Sequence, residues 1–598
     1  MGYGSKAQRG VARGGSTLTD IDIYKLALLC KTERGIVDAN GYPVVHDDIY
    51  SMEDFYKKCG GFNSSYYGSY IAQSFYDELE DSIDCEMKVL SYVDSSAAQA
   101  AYSILDDAGT LIFTVSAGRR GLNDKSAFGN KIAIKTTQIE EISMKLTAEL
   151  EDAATTATLD NVDNLEVGNY LKFEEGNDVE VRAITAINTS TKTVTFAVLT
   201  ESGGFSVSGT TVYRLDWRLE VAVKDNLGNY QKWETWEGPF AKSDTIGLAG
   251  DVNDTESGAN FIVLAVNDSN TSNPVDQIPA ELTAWTALTG GSDGSAATDS
   301  SWDTLADTYL TSTEFTILLA PESSSITHNQ NMKGFTTDGY KGVYYAQSSN
   351  GATEDTLKNF GASMRGGIVF AMLPADKWKK VNDPTRVSGT KDIPMVGISA
   401  AHWFNTYFKF GESKVAAGNK SEMVLKASGK LIDTNGLVHD DSDGRGGRLI
   451  RNYSVNICKY TRGKGITINS ARTFSTDDGY KFQNQLFQWI LYSRSIVAFL
   501  RDIEQDKSGI NSMVSHRNTV LIYMKKKYAA GHFFKGQKED GSFTKFNDVC
   551  VILNDFTINT LANINNGKEE LFLQFTAVPP IEEAILTLAS AGVTRISR

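Results

Sequence analysis

Residues 451–580 restrict the fold more than any other part of this chain. Val455, Ile457 and Tyr460 alternate as a half-buried strand would. Arg462-Gly463-Lys464-Gly465 supplies a turn, and Ile466-Thr467-Ile468 opens a second strand that Ser470-Ala471-Arg472-Thr473 closes. Two amphipathic helices follow. Phe482, Leu486, Trp489, Ile490, Ile496, Phe499 and Leu500 share one face of the first. Ile510, Met513, Val514, Leu521, Met524 and Tyr528 share a face of the second, and Gly531 is a natural stop. Each such side chain contributes about 1.5–3 kcal/mol on burial, enough to fix both helices on a flanking sheet. A strand carrying Asn554, Asp555, Asn559 and Thr560 comes next, then one through Leu571 and Leu573 that ends at Pro579-Pro580.

A chain of 598 residues predicts three to five domains. Its net charge of −16 is spread along the sequence, which argues against nucleic acid as the main partner. The five cysteines, Cys30, Cys59, Cys85, Cys458 and Cys550, form no CxxC pair. They read as free buried thiols in a reducing cytoplasm. Residues 1–20 carry Lys6, Arg9 and Arg13 among glycines and serines, without the apolar centre of a signal peptide. No run of 18 apolar residues occurs, so no membrane insertion is expected.

Ile21, Ile23 and Leu26 read as an exposed arm feeding a strand that ends at Lys31-Thr32-Glu33-Arg34-Gly35. Ser51, with Glu53 and Asp54 behind it, predicts a capped helix that Gly60-Gly61 ends. Tyr66, Tyr70, Ile71, Phe75 and Leu79 recur at helical spacing. A strand near 86–92, an alanine-rich helix near 97–105 and a strand near 111–115 complete an alternating α/β pattern. From about 150 to 215 the sequence turns to short alternating strands, an all-β insertion, with a hairpin to follow at 219–236. Residues 267–303 read as a loop, and 411–447 as a second polar surface stretch. Between them, 315–319 and 367–373 are short apolar runs of the kind found in buried parallel strands, with a helix near 352–364.

Motifs that would carry catalysis are weak. Gly411 and Gly418-Asn419-Lys420-Ser421 have the wrong spacing for a phosphate loop. Asp440-Asp441-Ser442-Asp443-Gly444 lacks the closing glutamate of a calcium loop, and reads as a solvated turn. The six histidines are scattered and no metal or cofactor is expected. Lys525-Lys526-Lys527 admits two readings: a cationic last turn that complements the helix dipole, or a positive stripe facing an acidic partner.

The ordered elements of 451–580 resemble the C-terminal domain of contractile-tail sheath proteins, found in bacteriophage tails and related injection systems. That family shows a strand, a Gly-rich turn, "GI…ART", two helices, an "NT" pair and a terminal Pro-containing strand. Three further pieces resemble it: Cys30-Lys31-Thr32-Glu33-Arg34-Gly35 against "GRTERG", Gly129-Asn130 before a strand, and Leu288-Thr289-Gly290-Gly291-Ser292-Asp293-Gly294 against "L.GG.DG". The resemblance implies an α/β and α+β multidomain protein: an α/β core, an inserted all-β domain, a C-terminal α+β assembly domain and extended terminal arms. The divisions expected are an N-terminal arm at 1–22, core at 23–135, β-rich insertion and linker at 136–299, core again at 300–450, assembly domain at 451–577 and C-terminal arm at 578–598.

The resemblance also implies a structural subunit, not an enzyme. It would polymerise as stacked hexameric rings around a tail tube protein and contract to drive that tube through an envelope. Baseplate and tail terminator proteins would be further partners, and its place would be a virion tail assembled in the host cytoplasm. The arms would supply interface residues, Ile21, Ile23 and Leu26 at one end and Ile581, Ile585, Leu586 and Leu588 at the other. Lys525, Lys526 and Lys527 would face the tube. Competing readings are a β-rich virion or surface-layer protein and, more remotely, a carbohydrate hydrolase.

Overall fold

The computed structural model describes residues 18–106, 109, 111–200, 203–225, 227–239, 245–267, 279–338, 341–386, 388–418, 423–427, 431–432, 445–461, 463–502, 510–536, 540, 542–560, 562 and 569–580. It is a mixed α/β protein. At its centre lies a six-stranded sheet in the order Ala371–Met372, Val343–Tyr345, Ile317–Leu319, Lys25–Cys30, Glu86–Ser91, Val45–Ile49. All neighbours are parallel except the last pair. Both faces are covered, and so the strands read as continuous apolar runs. The two-residue period of a strand sends Leu26, Leu28 and Cys30 into one core and Ala27 and Leu29 into the other.

Helix Met52–Cys59 starts at Ser51, whose hydroxyl accepts the Asp54 N–H, and ends at Gly60. Gly60 has φ +86, and a Cβ there would meet Glu33 and Arg34 at 2.9 Å, so only glycine fits. Helix Gly68–Glu78 packs on helix Val396–Phe410 over one face of the sheet. The 20-residue helix Gln483–Asp502 closes the same side, with the Trp403 and Phe487 rings stacked at 3.8 Å. Leu486, Ile490, Tyr492, Ile496 and Phe499 therefore share one hydrophobic core with the N-terminal strands. Helices Asp299–Leu305, Ile326–Asp338 and Glu354–Met364 cover the other face.

The β-rich part is two layers. A five-stranded sheet holds Ile36–Val37, Ala101–Leu105, Leu111–Arg119, Leu122–Asp124 and Ile262–Val266. An eight-stranded sheet is built on two 14-residue strands, Ile132–Lys145 and Thr211–Lys224, paired antiparallel from end to end. Phe113, Val115, Ile134, Trp217 and Leu219 fill the space between the sheets. Beyond the pair Lys145 and Thr211 the chain builds a distal lobe with its own core, including Leu159, Leu171, Phe173, Val194 and Phe196.

Several expectations are corrected. Residues 97–105 contain strand Ala101–Leu105, not a helix. Ala100, Tyr102 and Ile104 point inward with period two, and pairing with Leu111–Arg119 outweighs alanine's helix propensity. Residues 267–303 are not simply a loop: Leu282–Ala287 adds a strand to the eight-stranded sheet, and helix Asp299–Leu305 follows. The stretch that opens residue range 451–580 is the end of helix Arg445–Tyr453. Leu449 is fully buried beside helix Glu354–Met364, where Gly361 allows close approach of Tyr453. Asn554, Asp555, Asn559 and Thr560 follow strand Cys550–Leu553 instead of lying in it. Val514, expected in the buried stripe, is 46% exposed.

This topology predicts which part of the β-rich region is separable. Trp217 and Leu219 wall the core against Phe113, so excising 137–240 would open it. Replacing residues 146–210 by an Asn-Gly turn instead joins Lys145 to Thr211 where they already pair. Tyr170 and Val181 are lost from the shared core, at about 1.5–3 kcal/mol each. The shortened protein should stay soluble with one cooperative thermal transition. A loss of cooperativity on calorimetry would show that the lobe is integral.

Candidate assembly surfaces

The segment Thr32-Glu33-Arg34-Gly35 leaves the central strand and enters the seam between the sheets. Arg34 is fully buried and its guanidinium is shared among four segments. Nε donates to Asp124 Oδ2 at 2.8 Å, Nη1 to the carbonyls of Lys57 (2.6 Å) and Asn260 (2.7 Å), and Nη2 to the carbonyl of Gly118 (2.8 Å). Phe128 and Phe261 lie over its faces at 5.5 and 5.3 Å. The other Asp124 oxygen accepts the Gly35 N–H and the Ser126 hydroxyl. Glu33 accepts Lys131 Nζ and the Gly61 N–H, and the Thr32 hydroxyl donates to the Arg34 carbonyl. The loop 288–294 completes the seam: Asp293 accepts the Tyr66 hydroxyl and the Ala127 N–H, both at 2.9 Å.

At the carboxyl ends of the parallel strands, where open α/β sheets take their ligands, a cavity of about 300 Å³ is lined by Lys31, Tyr66, Tyr92, Trp302 and Glu322. The chain's own carboxylate occupies the anion position there. Glu322 accepts the N–H groups of Lys31 (3.3 Å) and Tyr67 (2.9 Å) at the start of helix Gly68–Glu78. Burial pushes this carboxyl up to about 7.

In the C-terminal region the buried asparagines act as staples. Asn456 Nδ2 donates to the carbonyls of Leu373 and Arg472, and its Oδ1 accepts the Arg472 N–H, all at 2.8 Å. It thereby ties the hairpin of Cys458–Thr461 and Gly465–Ile468 to the edge of the central sheet. Asn559 Nδ2 donates to Asn554 Oδ1 and to the Glu570 carbonyl, and Asn554 Nδ2 donates to Glu569. These bonds tie the residues just after strand Cys550–Leu553 to those just before strand Phe572–Phe575. The inner face of that two-stranded sheet presents Cys550 and Ile552 to the core. Its outer side leaves Val551 and Phe572 at 40% and 46% exposure.

The expected interface residues separate sharply. Leu26 is fully buried in the central strand, Ile23 is 3% exposed and Ile21 packs on the same core, so none of the three presents a free side chain. Ile581, Ile585, Leu586 and Leu588 lie outside the described residues, as do Lys6, Arg9, Arg13 and the aspartates of 440–443. Lys525 and Lys526 are exposed at the end of helix Ile510–Ala529. Lys527 is not part of that stripe: it donates to Asp20 (2.7 Å) and Glu412 (2.8 Å) and lies over the rings of Tyr492 and Tyr523. The 3.6-residue period turns it inward. The run of three lysines gave no sign of this, because its partners lie far away in sequence. Among the described residues no group of His, Cys, Asp and Glu could hold a metal, all five cysteines are free and buried, and no helix is long and apolar enough to cross a membrane.

No protein-family model matches the sequence, and no curated protein matches it in sequence. The solved structures to which the chain is similar include the following three. The helical sheath of the anti-feeding prophage in its contracted state is 17% identical, with TM-score 0.39 over 50% of this chain and 77% of that one. The sheath complex of the extracellular contractile injection system PVC, also contracted, is 18% identical, with TM-score 0.39 over 50% and 75%. A sheath tail protein from Desulfitobacterium hafniense is 10% identical, with TM-score 0.44 over 91% and 92%.

Two measurements check the geometry. Asp124→Ala leaves the Arg34 guanidinium buried without its counter-ion, and should cost about 3–5 kcal/mol of unfolding free energy in urea. A cost below 1 kcal/mol would mean that the carbonyl contacts suffice. Glu322 supplies the second. Its folded-state value of about 7 lies above the unfolded value of 4.5, so the stability it contributes is complete below 4.5 and lost as pH rises to about 7. The stability of Glu322→Gln relative to wild type should therefore rise across that window. A flat difference would contradict the assignment.

Proposed function

We propose that this chain is the structural subunit of a contractile tail sheath. On this reading it polymerises as stacked six-fold rings around a tail tube protein and contracts to drive the tube through a target envelope. Its other partners are the baseplate and tail terminator proteins, and its location is a virion tail assembled in the host cytoplasm. The observation that carries the reading is the ordered C-terminal set. The two helices and the terminal strand pair share one core with the N-terminal strand, and the hairpin packs in a separate core with Met395 and Ile398. The energy for contraction then resides in two packings of the same subunit, and no nucleotide is needed. Contacts that do not close on themselves give an open helical filament.

The C-terminal arm supplies the link between subunits. Ile581, Ile585, Leu586 and Leu588 follow Pro579-Pro580 in the sequence, and an apolar segment of this kind can add to a neighbour's sheet through main-chain hydrogen bonds. Purified full-length protein should form long hollow tubules under the electron microscope. Planar arrays would instead point to a surface layer. A chain ended after Pro580 should remain a folded monomer, and tubules from it would sink the arm-exchange reading.

Lys525 and Lys526 face the tube, each contributing about 1 kcal/mol or less of salt-sensitive attraction to an acidic surface. The double change Lys525→Glu and Lys526→Glu should weaken co-sedimentation with tube protein and leave sheath-only tubules intact. Unaltered co-sedimentation at low salt would leave these two lysines only the helix-dipole role.

A further inference from the structure

The chain does not strike out from the body at residue 23. Residues 18–24 lie along the C-terminal helices: Leu18 is 8% exposed, Ile23 is 3% exposed, and the Ile21 N–H donates to Ser495 Oγ at 3.2 Å. Asp20 accepts from the Tyr523 hydroxyl at 2.6 Å through Oδ1 and from Lys527 Nζ at 2.7 Å through Oδ2. The same ammonium donates to Glu412 Oε1 at 2.8 Å, which also accepts the Tyr492 hydroxyl at 3.1 Å. One lysine thus sits between two carboxylates that differ in surroundings. The Glu412 side chain is 7% exposed and that of Asp20 is 41% exposed.

The asymmetry decides which contact can open. Breaking Lys527 from Glu412 would leave a buried carboxylate with the Tyr492 hydroxyl and the His532 ring but no ammonium, a far larger cost than that of a surface pair. Releasing Asp20 gives up the Lys527 and Tyr523 contacts but returns a half-exposed carboxylate to water while the ammonium keeps Glu412, which makes it the cheaper opening. The inner pair is a fixed post, and Asp20 is the part that can leave it.

We propose that Asp20 is a latch at the root of the N-terminal arm. It holds residues 18–24 against helices Gln483–Asp502 and Ile510–Ala529, and this closed packing is the form of the subunit that assembles. The inference rests on the sheath reading for what is assembled, and on the geometry alone for the latch. Two direct hydrogen bonds from charged and phenolic donors give it a definite closed state. Its partial exposure makes opening reversible and salt-dependent. Asp20 is therefore a positioning residue for assembly, and its opening frees residues 18–24 without unfolding the core.

The experiment compares wild type, Asp20→Asn and Asp20→Glu by hydrogen–deuterium exchange with mass spectrometry, followed by tubule assembly of the same samples. In Asp20→Asn the amides of 18–24 should exchange roughly tenfold faster, the size expected for losing one charged hydrogen bond. The melting temperature should change little, and Asp20→Glu should restore much of the protection. Raising salt on the wild type should move its exchange toward that of Asp20→Asn. In assembly, Asp20→Asn should need a several-fold higher protein concentration to form tubules. Unchanged exchange in Asp20→Asn, or exchange that speeds while tubules form as before, overturns the proposal. If wild type forms no tubules at any concentration, the sheath reading fails, and the exchange measurement still decides whether Asp20 latches the segment.

Discussion

The buried Arg34–Asp124 pair is the constraint on which the rest of the structure depends. Both side chains are fully excluded from water. A buried ion pair recovers its desolvation cost only when every donor finds an acceptor in good geometry. Here the acceptors come from helix Met52–Cys59, from the strand at Gly118 and from Asn260, besides Asp124 itself. The central sheet and the β-rich layers are therefore set in one register relative to each other. An apolar seam would hold them together equally well, but would let them slide.

The same device recurs at the other end of the chain. Asn456 and Asn559 spend all their polar atoms on main chain or on another asparagine, and each closes a junction that hydrophobic packing alone would leave loose. Glu322 does likewise at the helix start where related architectures bind anions. The buried polar groups of this protein thus position backbone.

Much of this was legible in the residues. The parallel strands at 315–319 and 367–373, the Ser51 cap, the Gly60 stop, the short strands within 150–215 and the two long C-terminal helices all follow from local period and turn chemistry. The failures share a cause. Alanine-rich text at 97–105 favours a helix by propensity, yet its inward residues suit the strand that Leu111–Arg119 templates. Gly446-Gly447 argue against a helix that burial of Leu449 then enforces.

Sequence alone determined the kind and the apolar face of most elements, because those depend on spacing within a few residues; it failed where pairing or burial by distant residues overrode local preference, as at 97–105 and 445–453. It could not determine partners. Lys525, Lys526 and Lys527 are identical in composition, and only the fold brings Lys527 to Asp20, 507 residues away, while its two neighbours face water. Likewise Ile21, Ile23 and Leu26 read as an arm and are core, because helices at the far end of the chain close over them. Which charges pair and which apolar groups stay free is decided by three-dimensional proximity, and that emerges only once the two ends of the chain share one hydrophobic core.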